Sequence, residues 1–259
     1  MDLGISGKTA IVCGSSQGLG HACALALAEA GVNVVINGRD AAKLDAAAAA
    51  IEAHAEGRVT PVAADICTDE GQAALLKACS APDILINNNG GPPFTALADL
   101  DRDDIRRGLE MNMVTPITLI QKVIDGMVER GFGRIVNITS VTVKMPVAGL
   151  DLSSGARAGL TGFVAGVARS VAHRNVTINQ LLPGYFDTER LRQGFDATAA
   201  KSGTTPESAA QQWQQQVPAA RFGRPREFAQ TCAFLCSADA GYLTGQNILI
   251  DGGLHRAAF

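Results

Sequence analysis

No stretch of this chain approaches the eighteen or more apolar residues that a membrane span requires. The opening Met1-Asp2-Leu3-Gly4 has neither the basic start nor the apolar stretch of a signal peptide. The expectation is a cytoplasmic protein with no membrane partner. A basic excess is also missing: 22 Lys plus Arg stand against 25 Asp plus Glu, a net charge of −3, so nothing matches a nucleic-acid backbone and no nucleic-acid partner is expected. Six cysteines form no Cys-x-x-Cys pair, and none of the four histidines pairs with another His or Cys at ligand spacing. They predict free buried thiols and no metal site. With 47% apolar and 18% charged residues, the chain is neither disordered nor a coiled coil, and its 259 residues fit one α/β domain with a large core.

Apolar β-branched runs alternate with Ala/Leu-rich stretches, the pattern of repeated βα units that build a parallel sheet covered on both faces. Strands are predicted at Thr9–Cys13, Asn33–Asn37, Val59–Ala63, Ile84–Asn87, Arg134–Thr139, Thr177–Leu181 and Asn247–Ile250. Helices are predicted around Leu19–Ala30, Ala41–His54 and Glu70–Ala78, over one long span from Asp104 to Val128, and over Asp151–His173 and Arg226–Ser237. From Asp187 to Ala220 the rhythm breaks. That segment is rich in Gln, Thr, Gly and Ala, with Trp213 and two prolines, and reads as an active-site lid or mobile loop where substrate contacts are expected.

Directly after the first strand comes Gly14-Ser15-Ser16-Gln17-Gly18-Leu19-Gly20, leading into a helix. Glycines let the backbone turn sharply and approach a pyrophosphate, while the helix start offers free N–H groups and its positive dipole end. The second strand ends in Asn37-Gly38-Arg39-Asp40. A free ribose 2′-hydroxyl calls for a carboxylate at that strand end, whereas a 2′-phosphate calls for its absence and a nearby cation. Gly38 leaves the space and Arg39 supplies the charge, so NADP(H) is favoured over NAD(H), with Asp40 next door as the contrary signal.

The glycine spacing resembles that of the short-chain dehydrogenase/reductase family, and further matches follow in order over nearly the whole chain. Asp65-Ile66 resembles the family's adenine-contacting pair, and Asn87-Asn88-Asn89-Gly90 its Asn-Asn-Ala-Gly motif with Asn in place of Ala, which implies cofactor contacts at Asn88 and Gly90. Asn112 stands where the family has a helix asparagine completing its proton relay. Ser140 resembles the carbonyl-polarising serine. Pro183-Gly184 followed by Thr188 resembles the loop at the nicotinamide. Leu243–Gln246 and Asp251-Gly252-Gly253 resemble the C-terminal strand of a homotetramer interface. The resemblance implies a single doubly wound Rossmann-type domain with a seven-stranded parallel sheet, helices on both faces, and a homotetramer or homodimer.

One departure matters most. Where the family has Tyr-x-x-x-Lys, this register reads Ser153-Ser154-Gly155-Ala156-Arg157. The i, i+4 spacing keeps Ser153 and Arg157 on one helix face. A serine hydroxyl, however, is a far weaker acid than a phenol of pKa about 10 and is shorter by a ring. Arg157 offers five donors to ribose hydroxyls yet cannot relay a proton. With only two tyrosines present, Tyr185 beside Pro183-Gly184 is one substitute donor, and Lys144, four residues past Ser140, is another. The Ser-x-x-x-Arg pair and the loop Asn89-Gly90-Gly91-Pro92-Pro93 together resemble an atypical branch of the family, a resemblance that supplies no activity.

The expected function is NADP(H)-dependent hydride transfer to or from a small carbonyl or alcohol substrate. Ser140 would hold the reacting oxygen, Arg157 the ribose, and Asn112 a water, and the proton would come through Ser153, Tyr185 or Lys144. The alternatives are a dinucleotide-binding sensor or partner subunit of the same fold, and a non-redox lyase or isomerase.

Overall fold

A computed structural model describes residues 2–92 and 94–257, so Pro93 of the loop above lies outside the described residues. Seven strands form one parallel sheet: β1 (Thr9–Val12), β2 (Asn33–Gly38), β3 (Val59–Ala63), β4 (Ile84–Asn87), β5 (Gly133–Ile138), β6 (Val176–Pro183) and β7 (Asn247–Ile250). Their order is β3-β2-β1-β4-β5-β6-β7. The chain winds outward from β1 in one direction and from β4 in the other. The crevice between these two strands, at their C-terminal ends, is therefore the place where a doubly wound sheet receives ligands.

Alternation along each strand divides the core in two. Val12, Ile84 and Ile86 face a layer that holds Leu27 of α1 (Gly18–Glu29), Leu44 of α2 (Ala41–Glu52) and Phe228 of α9 (Pro225–Cys236). Ile11, Leu85 and Ile135 face the opposite layer. That layer holds Leu75 of α3 (Asp69–Ala78), Leu119 and Val123 of α5 (Thr115–Arg130), and Leu160 and Val164 of α6 (Asp151–Val171). Between β5 and the end of α9 lies a fully buried cation. Arg134 gives its five donors to Ser237 O, Gly133 O, Asn175 O, Asn175 Oδ1 and Ala238 O at 2.8–3.2 Å, so it needs no carboxylate.

Three expectations are corrected. The helix predicted from Asp104 to Val128 is α4 (Arg102–Leu109), a widened π turn at Glu110–Val114, and then α5. The 187–220 segment holds two helices, α7 (Glu189–Ser202) and α8 (Pro206–Gln216). Thr188 and Thr205 cap their starts by accepting Leu191 N–H and Ser208 N–H, and Gly203 ends α7 at φ +66°. Polar composition hid these helices because their stability comes from caps and from one aromatic cluster, Tyr185–Trp213–Phe195–Phe222, with centroids 5.0–5.5 Å apart. Of the six free cysteines, Cys67 and Cys79 are only partly buried, because they sit past strand and helix ends at the rim of the sheet. Among the described residues no helix is long and apolar enough to cross a membrane.

Candidate active site

The glycine loop is fastened to its neighbours by side chains. Ser15 is fully buried; its Oγ donates to Val12 O at 2.7 Å and accepts Asn37 N–H at 2.9 Å. Asn88 crosses from the end of β4 and donates Nδ2–H to Gly14 O at 2.9 Å. A Cβ on Gly14, which sits at φ +55°, would lie 2.4 Å from Asn88 O, and one on Gly20 would lie 2.4 Å from Gly14 O. The loop can therefore pack this closely only with glycine at both positions. Gln17 precedes α1 in extended conformation without a side-chain cap, which leaves the N–H groups of Gly18, Leu19 and Gly20 unsatisfied by the helix.

Past β2, Arg39 is exposed, while the Asp40 carboxylate is taken by Lys43 N–H at 3.1 Å as the cap of α2. The neighbouring carboxylate that weighed against NADP(H) is thus committed to a helix start. A side chain at Gly38 would press on Ser16, with its Cβ 3.0 Å away. Asp65 is exposed and accepts Cys67 N–H at 3.0 Å, and Ile66 is buried. On the far wall, Gly184 donates its N–H to Ile250 O at 2.9 Å just after Pro183. The methyl of Thr188 lies 3.8 Å from where a Cβ on Gly18 would stand, so the start of α7 faces the glycine loop.

Ser140, half-buried beyond β5, accepts Thr142 N–H on its Oγ at 3.1 Å and keeps its own proton to donate. Ser153 and Arg157, one turn apart on α6, are 7% and 8% exposed. The guanidinium turns inward: Nε donates to Ser153 Oγ at 3.0 Å, Nη1 to Ile138 O at 2.7 Å and Nη2 to Asn89 O at 3.4 Å. Burial, with a smaller push from Arg190, brings its pKa down to about 10. Arg190 of α7 donates to Pro92 O at 2.7 Å, so both arginines hold carbonyls of the loop after β4.

Asn112 lies in the widened turn, 2% exposed, with both amide atoms unbonded. It borders a cavity of about 10 Å³ with Asn87, Asn137, Met111 and Arg157, at the lower limit for one water. Tyr185 packs its ring on Trp213 and against the small apolar cluster of Val141, Val217 and Leu254, and burial pushes its phenol pKa up. Lys144 is exposed at the end of the short 3-10 turn Val141–Val143. Sequence reasoning missed Asn89, Asn137 and Arg190. Only Asn89 carried a signal, as an Asn where the resembling motif has Ala.

A family model described as Enoyl-(Acyl carrier protein) reductase matches residues 14–255. The 3-oxoacyl-(acyl carrier protein) reductase FabG of Vibrio harveyi is 34% identical over 258 residues, covering 98% of this chain and 99% of that protein. The NADPH-dependent reductase BacG of Bacillus subtilis is 33% identical over 96% of this chain and 98% of its own. Among solved structures, L-sorbose reductase from Gluconobacter frateurii, complexed with NADPH and L-sorbose, matches with a TM-score of 0.93 at 29% identity over 99% of this chain and 100% of that one. By sequence, sheet order and site geometry together, this chain belongs to the short-chain dehydrogenase/reductase family.

Proposed function

We propose that this protein is an NADP(H)-dependent oxidoreductase acting on a small carbonyl or alcohol substrate, with Ser153 and Arg157 in place of the family's Tyr-x-x-x-Lys pair. The observation that carries this reading is the inward guanidinium of Arg157, held on Ile138 O two residues before Ser140 rather than released to solvent.

The residues present fit the cofactor: the close-packed glycines at 14 and 20, the unsatisfied N–H groups at the start of α1, and Arg39 free beside a committed Asp40. Gly14–Gly20 would hold the pyrophosphate, Arg39 the 2′-phosphate, Asp65 and Ile66 the adenine, and Asn88, Gly90, Pro183, Gly184 and Thr188 the nicotinamide half, with Arg157 on its ribose. When bound, the nicotinamide supplies or takes the hydride. Ser140 donates its free proton to the oxygen on which charge develops. Asn112 holds a water in the cavity it shares with Asn137. Two groups of this chain can give the proton. Ser153 is made a better donor by the Arg157 Nε–H on its oxygen, and Tyr185 is kept protonated by its burial. Lys144, exposed, ranks behind them. Helices α7 and α8 form the substrate lid. The exposed apolar groups Ile105, Leu109, Val114 and Phe163 on one side and Phe234, Tyr242 and Leu243 on another support two self-interfaces and a homotetramer.

Titration of NADPH fluorescence, with NADH beside it, tests binding. Turnover is then read on a panel that includes 3-oxoacyl thioesters and ketoses, the substrates in the relatives' names. Ser140→Ala should lower kcat by about 10²–10³ with NADPH affinity unchanged. Binding without turnover of any carbonyl or alcohol would instead make the protein a dinucleotide-binding sensor or partner subunit. Absence of binding would end both readings.

A further inference from the structure

One side chain joins the loop after β4 to the helix that faces it. In the widened turn Glu110–Val114, Thr115 N–H reaches back five residues to Glu110 O and so is not available to Met111 O four residues back. The next residue is Pro116, which has no N–H to give. The Met111 carbonyl is left without a donor in its own helix at either spacing, and Asn89 Nδ2 bonds it from outside. The backbone oxygen of the same Asn89 accepts Arg157 Nη2–H.

Arg157 is therefore held from three directions. Two of its supports are regular structure, Ile138 O at the end of β5 and Ser153 on its own helix. The third is a loop that continues as Gly90-Gly91, with no side chains to anchor it. Fixing a guanidinium on a long side chain requires that its supports be fixed themselves. Here the tie of the loop to the helix is the Asn89 amide, and the carbonyl it uses is free because of Pro116.

We propose that Asn89 is a positioning residue for Arg157: by taking the Met111 carbonyl that Pro116 leaves open, it sets the guanidinium in place to receive the cofactor ribose. The inference rests on the cofactor role of Arg157 given above, and one of its two readouts does not. In the protein without cofactor, the Arg157 Nε–H signal in ¹⁵N NMR should exchange slowly with water, and Asn89→Ala should speed that exchange about tenfold or more. In NADPH titrations, Asn89→Ala should weaken binding about tenfold, equivalent to roughly 1.4 kcal/mol. In an Arg157→Lys background the same substitution should cost about twofold or less, because there is no fork left to position.

A residue that merely supports the fold would lower Tm without moving the Nε–H exchange. Asn89→Ser, whose hydroxyl is too short to reach Met111, carries the same expectations should the alanine variant fail to fold. Unchanged exchange and affinity in Asn89→Ala, or losses in Asn89→Ala and Arg157→Lys that multiply in full, would overturn the proposal. If the unsubstituted protein binds no NADPH, the cofactor reading fails and the exchange measurement alone decides on Asn89.

Discussion

Arg157 donates its Nε–H to the Ser153 hydroxyl at 3.0 Å across one turn of α6, with both residues more than nine-tenths buried. Removing the hydroxyl alone leaves a buried charged donor without its acceptor, at a cost of about 1–3 kcal/mol. Ser153→Ala should therefore lower the urea-unfolding free energy by that amount. The double variant Ser153→Ala/Arg157→Met should lose less than the two single variants together, because donor and acceptor leave as a pair. Unchanged stability in Ser153→Ala would show that the bond is not made in solution.

Tyr185 is held protonated by burial, its pKa above the usual 10. If its phenol delivers the proton, kcat stays level through neutral pH and declines only above about 10, and Tyr185→Phe lowers kcat by about 10²–10⁴ and erases that decline. The stability linkage has a matching sign. The native state binds this proton more tightly than the unfolded chain, so the stabilisation is complete below about pH 10 and is lost as pH rises through the native pKa. Tyr185→Phe should flatten the alkaline side of the stability curve. A full kcat in Tyr185→Phe leaves Ser153 as the donor.

Two glycines of the same loop should respond differently to alanine. Both sit at positive φ, +55° for Gly14 and +64° for Gly18, which costs a residue with a Cβ about 1–2 kcal/mol. At Gly18 the new Cβ meets nothing nearer than the Thr188 methyl at 3.8 Å, whereas at Gly14 it runs into Asn88 O at 2.4 Å. Thermal unfolding should show a modest loss in Gly18→Ala and a clearly larger one in Gly14→Ala, with NADPH binding abolished in the latter. Equal losses would mean that the loop relaxes away from Asn88.

Glu227 at the start of α9 accepts from Arg221 and from Arg224 N–H, which draws its pKa from an ordinary 4.5 down to about 2. A depressed carboxylate pKa stabilises the native state above the unfolded value and loses that contribution as pH falls through the native one. Glu227→Gln should therefore have a lower Tm than the unsubstituted protein at pH 7, and the gap should close between about pH 4.5 and 2. The group is only half-buried and its two arginine partners are exposed, so the gap is small and shrinks with added salt. A gap that persists at pH 2 would trace to the lost helix cap instead.

How far the sequence could be read depended on whether a feature is local. Strand ends fall within one or two residues of the predicted ones, because an apolar β-branched run bounded by Gly or Asp signals itself. Helices α7 and α8 were missed because Thr188 and Thr205 act as caps only when the chain after them packs, here through Trp213. Arg134 read as an ordinary strand residue, because its five acceptors come from its own neighbour and from segments some 40 to 100 positions away. The wide turn in the helix after α4 left one local trace, Pro116, whose effect shows only where Asn89 meets Met111.

By itself the sequence determined the parallel βα architecture, the place of the glycine loop at the first strand-to-helix turn, and the spacing that sets Ser153 and Arg157 one helical turn apart, because each is written in residue type and spacing. Only the tertiary structure decided where the Arg157 guanidinium points. A long side chain takes its direction from acceptors, and beyond Ser153 on its own helix those of Arg157 are Ile138, 19 residues before it, and Asn89, 68 residues before it, brought together when the sheet closes under α6.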